Sequence, residues 1–185
     1  MLGDDYKPSE LTGGWYALGE DVTITDRIKI SGDVQLILTD GFTLNAKRGI
    51  NLPENSTLSI YGQSGGTGKL NAESGNKTAI GGENEENCGT LNVYGGQVSA
   101  ESSGTAIGGG FSTSKTAGNG GTVNIYGGQV SAESSGTAIG GGSSTGGTGG
   151  NGGTVNVYGG MVNALSDSET AIGGGFSTSG TGGTG

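Results

Sequence analysis

The sequence lacks several residues on which common protein classes depend. Its 185 residues include no histidine, one cysteine and two prolines, and only 5% are aromatic. A lone cysteine cannot form a disulfide within the chain. Scarce proline, without glycine at every third position, excludes a collagen triple helix. No apolar stretch reaches the roughly 18 residues that indicate a membrane-spanning helix, so we expect no membrane insertion.

Basic residues are also few. The chain has 17 acidic and 8 basic residues, a net charge of −9, and Lys115 is the only basic residue after Lys77. Because nucleic acids bind to basic surfaces, we expect no nucleic-acid partner. The arginine, lysine and histidine that usually accompany aspartate in β-helix enzymes are equally sparse. The one mixed cluster surrounds Asp40, whose following glycine indicates a turn, so we expect no enzyme activity.

Glycine, in contrast, is abundant and unevenly placed. There are 45 glycines, of which 7 lie in residues 1–60 and 38 in residues 61–185, against a usual frequency of about 7%. A compact globule of this composition would have too few side chains to fill its core. The composition therefore indicates either disorder or an elongated fold with a thin core.

A repeat decides between these two alternatives. The segment that begins Thr-Leu-Asn-Val-Tyr-Gly-Gly at Thr90 returns at Thr122 and, at the same spacing, at Thr154. This period of about 32 residues lies in the range of 20–50 that is typical of repeat architectures. Earlier copies are weaker, and Leu36 aligns with Leu58 at a spacing of 22. We infer a basic coil of about 22 residues, extended to about 32 by a glycine-rich insert after each Ala-Ile-Gly-Gly-Gly.

Each unit contains three short segments in which apolar and polar residues alternate, which predicts three half-buried strands. Stacked three-strand coils form an all-β, right-handed parallel β-helix, a solenoid whose core is a narrow column. The predicted inward ladders are Leu58, Leu91, Val123 and Val155; Ile60, Val93, Ile125 and Val157; Leu70, Val98, Val130 and Val162; Ala72, Ala100, Ala132 and Ala164; and Ile80, Ile107, Ile139 and Ile172.

Two regions follow from this pattern. Residues 1–20 do not match the repeat, and we expect Trp15, Tyr16 and Leu18 to cap the column, while residues 21–185 form the β-helix. Gly185 aligns with Gly153, one residue before a strand. The prediction is a repeat array truncated at its C-terminus, whose open end favours further repeats or self-association.

The chain resembles a known class of modules. The resembling segments are Asp21-Val-Thr-Ile, Gly32-Asp-Val-Gln-Leu-Ile-Leu-Thr-Asp-Gly, and the repeated Val-Asn-Ile-Tyr-Gly-Gly and Ala-Ile-Gly-Gly-Gly. They are similar to the glycine-rich parallel β-helix modules, often labelled carbohydrate-binding, of large surface proteins of gut Firmicutes. The resemblance implies a secreted, cell-wall-associated bacterial protein that acts as an adhesin, stalk or glycan binder. It brings no catalytic residue set.

One outward column is the best candidate for a ligand site. Aromatic rings beside amides suit sugars, which have an apolar face and a rim of hydroxyls. The alternative is a purely structural ladder, since stacked tyrosines and asparagines also support parallel sheets. The candidate residues are Tyr61, Tyr94, Tyr126 and Tyr158 with Asn92, Asn124 and Asn156.

A second column carries the carboxylates of Glu73, Glu101 and Glu133, and Leu165 takes the place in the last copy. Ca²⁺ accepts several carboxylate oxygens, so these residues are a candidate metal site. The alternative is a solvated acidic stripe, which the leucine favours, and no cofactor is otherwise expected.

Three functions remain open. The leading hypothesis is a noncatalytic structural or adhesive module, a β-solenoid stalk of an extracellular bacterial surface protein. The second is binding of a glycan or another host-surface ligand through the exposed tyrosine and asparagine ladder. The third is ice binding by a threonine face, for which single threonine columns are sparse.

Overall fold

The computed structural model describes residues 1–3 and 5–185 and confirms an all-β solenoid of parallel strands in about five stacked turns. The strands are β1 (Glu10–Ala17), β2 (Val22–Ile24), β3 (Ile28–Leu38), β4 (Thr43–Ala46), β5 (Ile50–Asn51), β6 (Thr57–Gly62), β7 (Lys69–Ser74), β8 (Ile80–Gly81), β9 (Thr90–Val93), β10 (Gln97–Ser102), β11 (Ile107–Gly108), β12 (Thr122–Ile125), β13 (Gln129–Ser134), β14 (Ile139–Gly140), β15 (Thr154–Val157), β16 (Met161–Ser166) and β17 (Ile172–Gly173).

Three strands make one turn of the solenoid, as the repeat predicts. One face is a six-stranded sheet in the order β16-β13-β10-β7-β4-β2. The other two faces belong to one sheet in the order β15-β12-β9-β6-β3-β5-β8-β11-β14-β17, with β1 also on β3. This sheet is continuous because β3 bends at a corner, where Gly32 has a φ of 74°. The first part of β3 pairs with β5 and the second part of β3 pairs with β6.

The register matches the predicted repeat in the later turns and differs from it in one early turn. Thr90, Thr122 and Thr154 lie opposite one another. Leu58, however, pairs with Val34 rather than Leu36, so this turn is longer than the predicted basic coil by two residues. A shift of two residues keeps every side chain on its face, so alternation alone cannot distinguish the two registers.

The core consists of the predicted apolar ladders. Almost all their members are buried from Leu58 to Ile139, and they join one cluster with the residues of the first turns. Members in the last turn are more open, since Val157 is 54% exposed and Ile172 51%. Mostly β-branched and leucine side chains suit such strands, because they pack closely on a pleated surface.

The N-terminal residues extend the stack by a strand. β1 pairs in parallel with β3 over both of its parts, and Leu2 bridges to Leu18. Leu2, Leu11 and Leu18 are buried, and Tyr16 packs against the core. Trp15 differs from the expectation of a capping residue, because it points outward and is 65% exposed.

The glycine-rich inserts are stacked on each other. Each insert has an outgoing segment that leaves the solenoid and a returning segment that leads back to it. The outgoing and returning segments of successive inserts alternate along one column of backbone hydrogen bonds. In this column Gly110 donates to Glu86, Gly118 to Gly110, Gly142 to Gly118, Gly150 to Gly142, Gly175 to Gly150 and Gly183 to Gly175, over 2.8–3.0 Å. A Cβ atom at Gly118 would overlap the carbonyl oxygen of Glu86, and one at Gly150 that of Gly118. Glycine therefore orders the inserts by allowing close backbone contact.

Within the described residues, no helix is long and apolar enough to cross a membrane.

Candidate ligand-binding faces

The four predicted tyrosines form a stacked column on the outside of the solenoid. Neighbouring ring centroids from Tyr61 to Tyr158 lie 4.7–4.9 Å apart, and their planes differ by only 4–8°. The column lies at solvent rather than under the inserts, since Tyr94 and Tyr126 are each 42% exposed and Tyr158 67%. Each tyrosine after Tyr61 directly follows a strand and precedes a Gly-Gly corner, whose second glycine has positive φ, as at Gly96.

Trp15 extends this column to five rings. Its ring centroid lies 5.2 Å from that of Tyr61, with the planes tilted by 35°. The sequence analysis assigned Trp15 to the cap rather than to this column, because residues 1–20 have no counterpart in the repeat that would align it with the tyrosines.

Stacking decides which parts of the tyrosines a ligand can reach. The nearly parallel rings of Tyr94 and Tyr126 have a neighbouring ring on each side. Their faces are therefore covered, while their edges and phenol hydroxyls meet solvent. In the part of the chain that the structure describes, no protein group hydrogen-bonds these hydroxyls. The column thus offers a row of hydroxyls about one strand spacing apart, and sugar stacking on a ring face is confined to its ends.

The predicted asparagines form a hydrogen-bonded ladder beside the tyrosines. The Nδ2 amide of Asn92 donates to Ser59 Oγ over 3.1 Å, that of Asn124 to Asn92 Oδ1 over 2.9 Å, and that of Asn156 to Asn124 Oδ1 over 2.9 Å. These side chains are half-buried. Because the amides are engaged with one another, their main action is to hold consecutive turns in register.

The predicted glutamates lie opposite one another on the neighbouring strands β7, β10 and β13. Leu165 takes the matching position on β16, opposite Glu133. Glu73 is paired with the ammonium of Lys47 at 2.7 Å, and Glu133 accepts a hydrogen bond from Ser131 at 3.1 Å. Across residues 1–3 and 5–185 there is no group of three or more histidine, cysteine or acidic side chains arranged to hold a metal ion.

A second charged cluster connects three turns at one corner. The guanidinium of Arg27 donates to the carbonyls of Arg48 and Thr78, each over 2.8 Å, and its Nε lies 2.7 Å from Glu83. Lys77 also pairs with Glu83 at 2.7 Å. Burial lowers the pKa of Arg27, and the charge of Glu83 opposes that shift. The cluster binds these turns together.

Asp40 has a defined structural role in a turn. The carboxylate of Asp40 accepts hydrogen bonds from the backbone of Gly65 and Thr67 at 2.8 and 2.9 Å, and the Thr67 bond chiefly lowers its pKa. This agrees with the turn interpretation of Asp40.

Cys88 is buried in the core, and burial raises the pKa of its thiol to about 12. A thiol in this state is protonated and unreactive at neutral pH.

The two larger clefts on the six-stranded sheet are shallow. One, of about 400 Å³, lies at the strand ends beside Lys47, Glu73, Glu101 and Ser102. The other, of about 370 Å³, crosses the outer surface of β7, β10, β13 and β16. We refer to the second as the amide groove because glutamine and asparagine side chains line it.

No family model, curated protein or solved structure matches this chain.

Proposed function

We propose that the protein is a noncatalytic structural module, a rigid β-solenoid stalk of an extracellular, cell-wall-associated bacterial protein. The observation that carries this proposal is the continuity of the ladders along the axis. Backbone pairing, the apolar core, the asparagine ladder and the insert column all pass from turn to turn. Such an array acts as a spacer because each turn contacts only its neighbours, so length grows with the number of turns.

The charge pattern supports the same proposal. The net charge of −9 keeps such rods apart in solution. Arg27 and Asp40, in the mixed cluster that the sequence singles out, are occupied in bonds between turns. These two side chains are engaged in supporting the scaffold, which favours a structural role for them over a catalytic one.

Small-angle X-ray scattering tests the stalk. We expect the length of the particle along the solenoid axis to increase by one strand spacing, about 4.8 Å, for each added turn. An incubation with plant and bacterial polysaccharides, followed by a reducing-end assay, tests the absence of catalysis. A particle length that does not change with the number of turns would contradict the stalk, and release of sugar products would contradict the noncatalytic role.

A second candidate function is glycan binding at the tyrosine column. It is favoured by the exposure of Tyr94, Tyr126 and Tyr158, and by their hydroxyls, which have no protein partner among the described residues. A glycan array on the wild type and on Tyr94→Ala/Tyr126→Ala tests it. Binding that the double variant loses supports this function, whereas no binding, or binding unchanged in the variant, rejects it.

A further inference from the structure

The tyrosine column presents the edges of its rings to solvent in one line. Neighbouring ring centroids lie 4.7–4.9 Å apart with planes 4–8° from parallel, so stacking covers the faces of the inner rings. The edge that meets solvent carries the phenol hydroxyl and the ring carbons beside it, and Tyr94 and Tyr126 are both exposed there. Those carbons are the positions at which two oxidised phenols join. The column therefore exposes the coupling edge of each tyrosine while hiding its faces.

The surface around the column carries no charge on β6, β9, β12 and β15. Each of these turns presents a threonine, an asparagine or serine, and a tyrosine, as Thr122, Asn124 and Tyr126 do. The nearest charge on this sheet is Asp33 of β3, opposite Thr57, and the glutamate column lies on the six-stranded sheet. Charges elsewhere are screened beyond about 8 Å at physiological salt. Two copies of this chain, each with a net charge of −9, can thus approach most closely through these faces.

The geometry of the stack decides which tyrosines can join. Within one chain, Tyr94 and Tyr126 lie face to face, with planes only 4° from parallel, and cannot bring their edge carbons together. A second copy has the same column at the same strand spacing, so two columns laid side by side match ring for ring, edge against edge. The partner of each exposed ring is therefore a tyrosine of another copy.

We propose that the tyrosine column is a site of oxidative cross-linking, at which a haem peroxidase using hydrogen peroxide joins two copies of this chain through dityrosine. Two phenols, one from each copy, each lose one electron and the hydroxyl proton. The two phenoxyl radicals form a carbon–carbon bond beside their oxygens, and the hydrogens on the bonded carbons shift to the oxygens to restore both phenols. The two electrons and two protons reduce one hydrogen peroxide to two waters. This inference is independent of the stalk function and of glycan binding.

Stacking distinguishes the column from the other tyrosines. Tyr6 is also exposed, but among the described residues no ring stacks on it, and the hydroxyl of Tyr16 donates to the carbonyl of Thr12 at 2.8 Å. The electron-rich face of a neighbouring ring stabilises positive charge. Removal of an electron is thus easier in the column, and the vacancy passes from ring to ring until one meets a partner.

Treatment of the full chain with a haem peroxidase and hydrogen peroxide tests the proposal, read by dityrosine fluorescence and by a denaturing gel. We expect covalent dimers and larger species of the wild type. Tyr61→Phe/Tyr94→Phe/Tyr126→Phe/Tyr158→Phe keeps the stacked rings but lacks the hydroxyls, so it should lower the yield by about fivefold or more. Tyr6→Phe is the matched control and should cross-link as the wild type does.

Mass spectrometry of the proteolysed wild-type dimer keeps the test decisive even where thermal melts show that the quadruple variant does not fold. Cross-linked peptides that contain Tyr94, Tyr126 or Tyr158 from both chains support the proposal, and links made only through Tyr6 or Tyr16 overturn it. It is also overturned by a wild type that forms no covalent dimers, by a folded quadruple variant that cross-links equally well, or by loss of cross-linking in Tyr6→Phe.

Discussion

Gly118 shows how one missing side chain permits the stacking of the inserts. Its amide donates to Gly110, its carbonyl accepts from Gly142, and a Cβ atom would overlap the Glu86 carbonyl oxygen. Residues of ordinary size cannot be placed where three backbones meet so closely. The glycines of the inserts are thus required by packing rather than by flexibility.

Gly118→Ala should therefore destabilise the protein by about 1–3 kcal/mol, the usual effect of inserting atoms into a packed region. Gly75→Ala is the matched control, because a Cβ atom there meets nothing within 4 Å. Urea unfolding of both variants measures the difference. Equal stability of the two would show that the insert column is not closely packed.

Cys88 provides a second test at a single residue. Its folded pKa of about 12 lies above the unfolded value of about 8.5. Above pH 8.5 the unfolded chain loses the thiol proton first, so the free energy of unfolding should fall as pH rises from about 8.5 to 10.

Cys88→Ala should remove that part of the pH dependence, as urea unfolding at several pH values would show. In the native wild type, iodoacetamide should leave the thiol unmodified at pH 8, whereas the denatured protein should react. Rapid labelling of the native state would contradict the buried thiol.

Among the secondary-structure elements, the asparagine ladder is the clearest link between turns. Asn124 both donates to Asn92 and accepts from Asn156. Asn124→Ala breaks both bonds and leaves half-buried polar atoms unpaired, so we expect a loss of about 1–2 kcal/mol. Ser114→Ala, on an exposed insert, is the control and should have little effect. Equal melting temperatures for the two variants would contradict a stabilising ladder.

The sequence predicts the fold most completely where the repeat is regular. In the turns that carry the full repeat, Thr122 and Tyr126 identify the register without ambiguity. In the first turns the spacing varies, and the alternation of Val34 and Leu36 allows two registers that place the same faces inward. The deciding factor is the length of the corner between β5 and β6, which local patterns do not encode.

The candidate sites were less predictable, for two physical reasons. The alignment placed the tyrosines in one outward column, but only the ring planes show that Tyr94 and Tyr126 cover each other's faces. The amide groove was missed because Gln129 and Ser131 appear in the sequence as ordinary polar residues of a strand. Their significance comes from neighbours one full turn away in the chain, which form the same surface.

For the whole molecule, the unit of change is one complete turn. Deleting residues 122–153 joins Gly121 to Thr154 and preserves every register of the stack. We expect a folded, shorter solenoid of lower stability, since stability in such arrays sums over neighbouring turns.

Deleting residues 122–137, half of that unit, is the control and should prevent stacking of all later turns. Circular dichroism with thermal melts distinguishes the two deletions. Equivalent folding of both would contradict the observed register.

The orientation of the strands also determines how the protein responds to tension. The strands run across the solenoid axis, so the backbone hydrogen bonds between turns lie parallel to it. A pull along the axis therefore stretches these hydrogen bonds directly. Turns would then open one at a time from an end. Each full turn that opens shortens the folded rod by about 4.8 Å but releases about 110 Å of chain. A stalk of this construction would extend in steps under load and limit the force that reaches the molecules it joins.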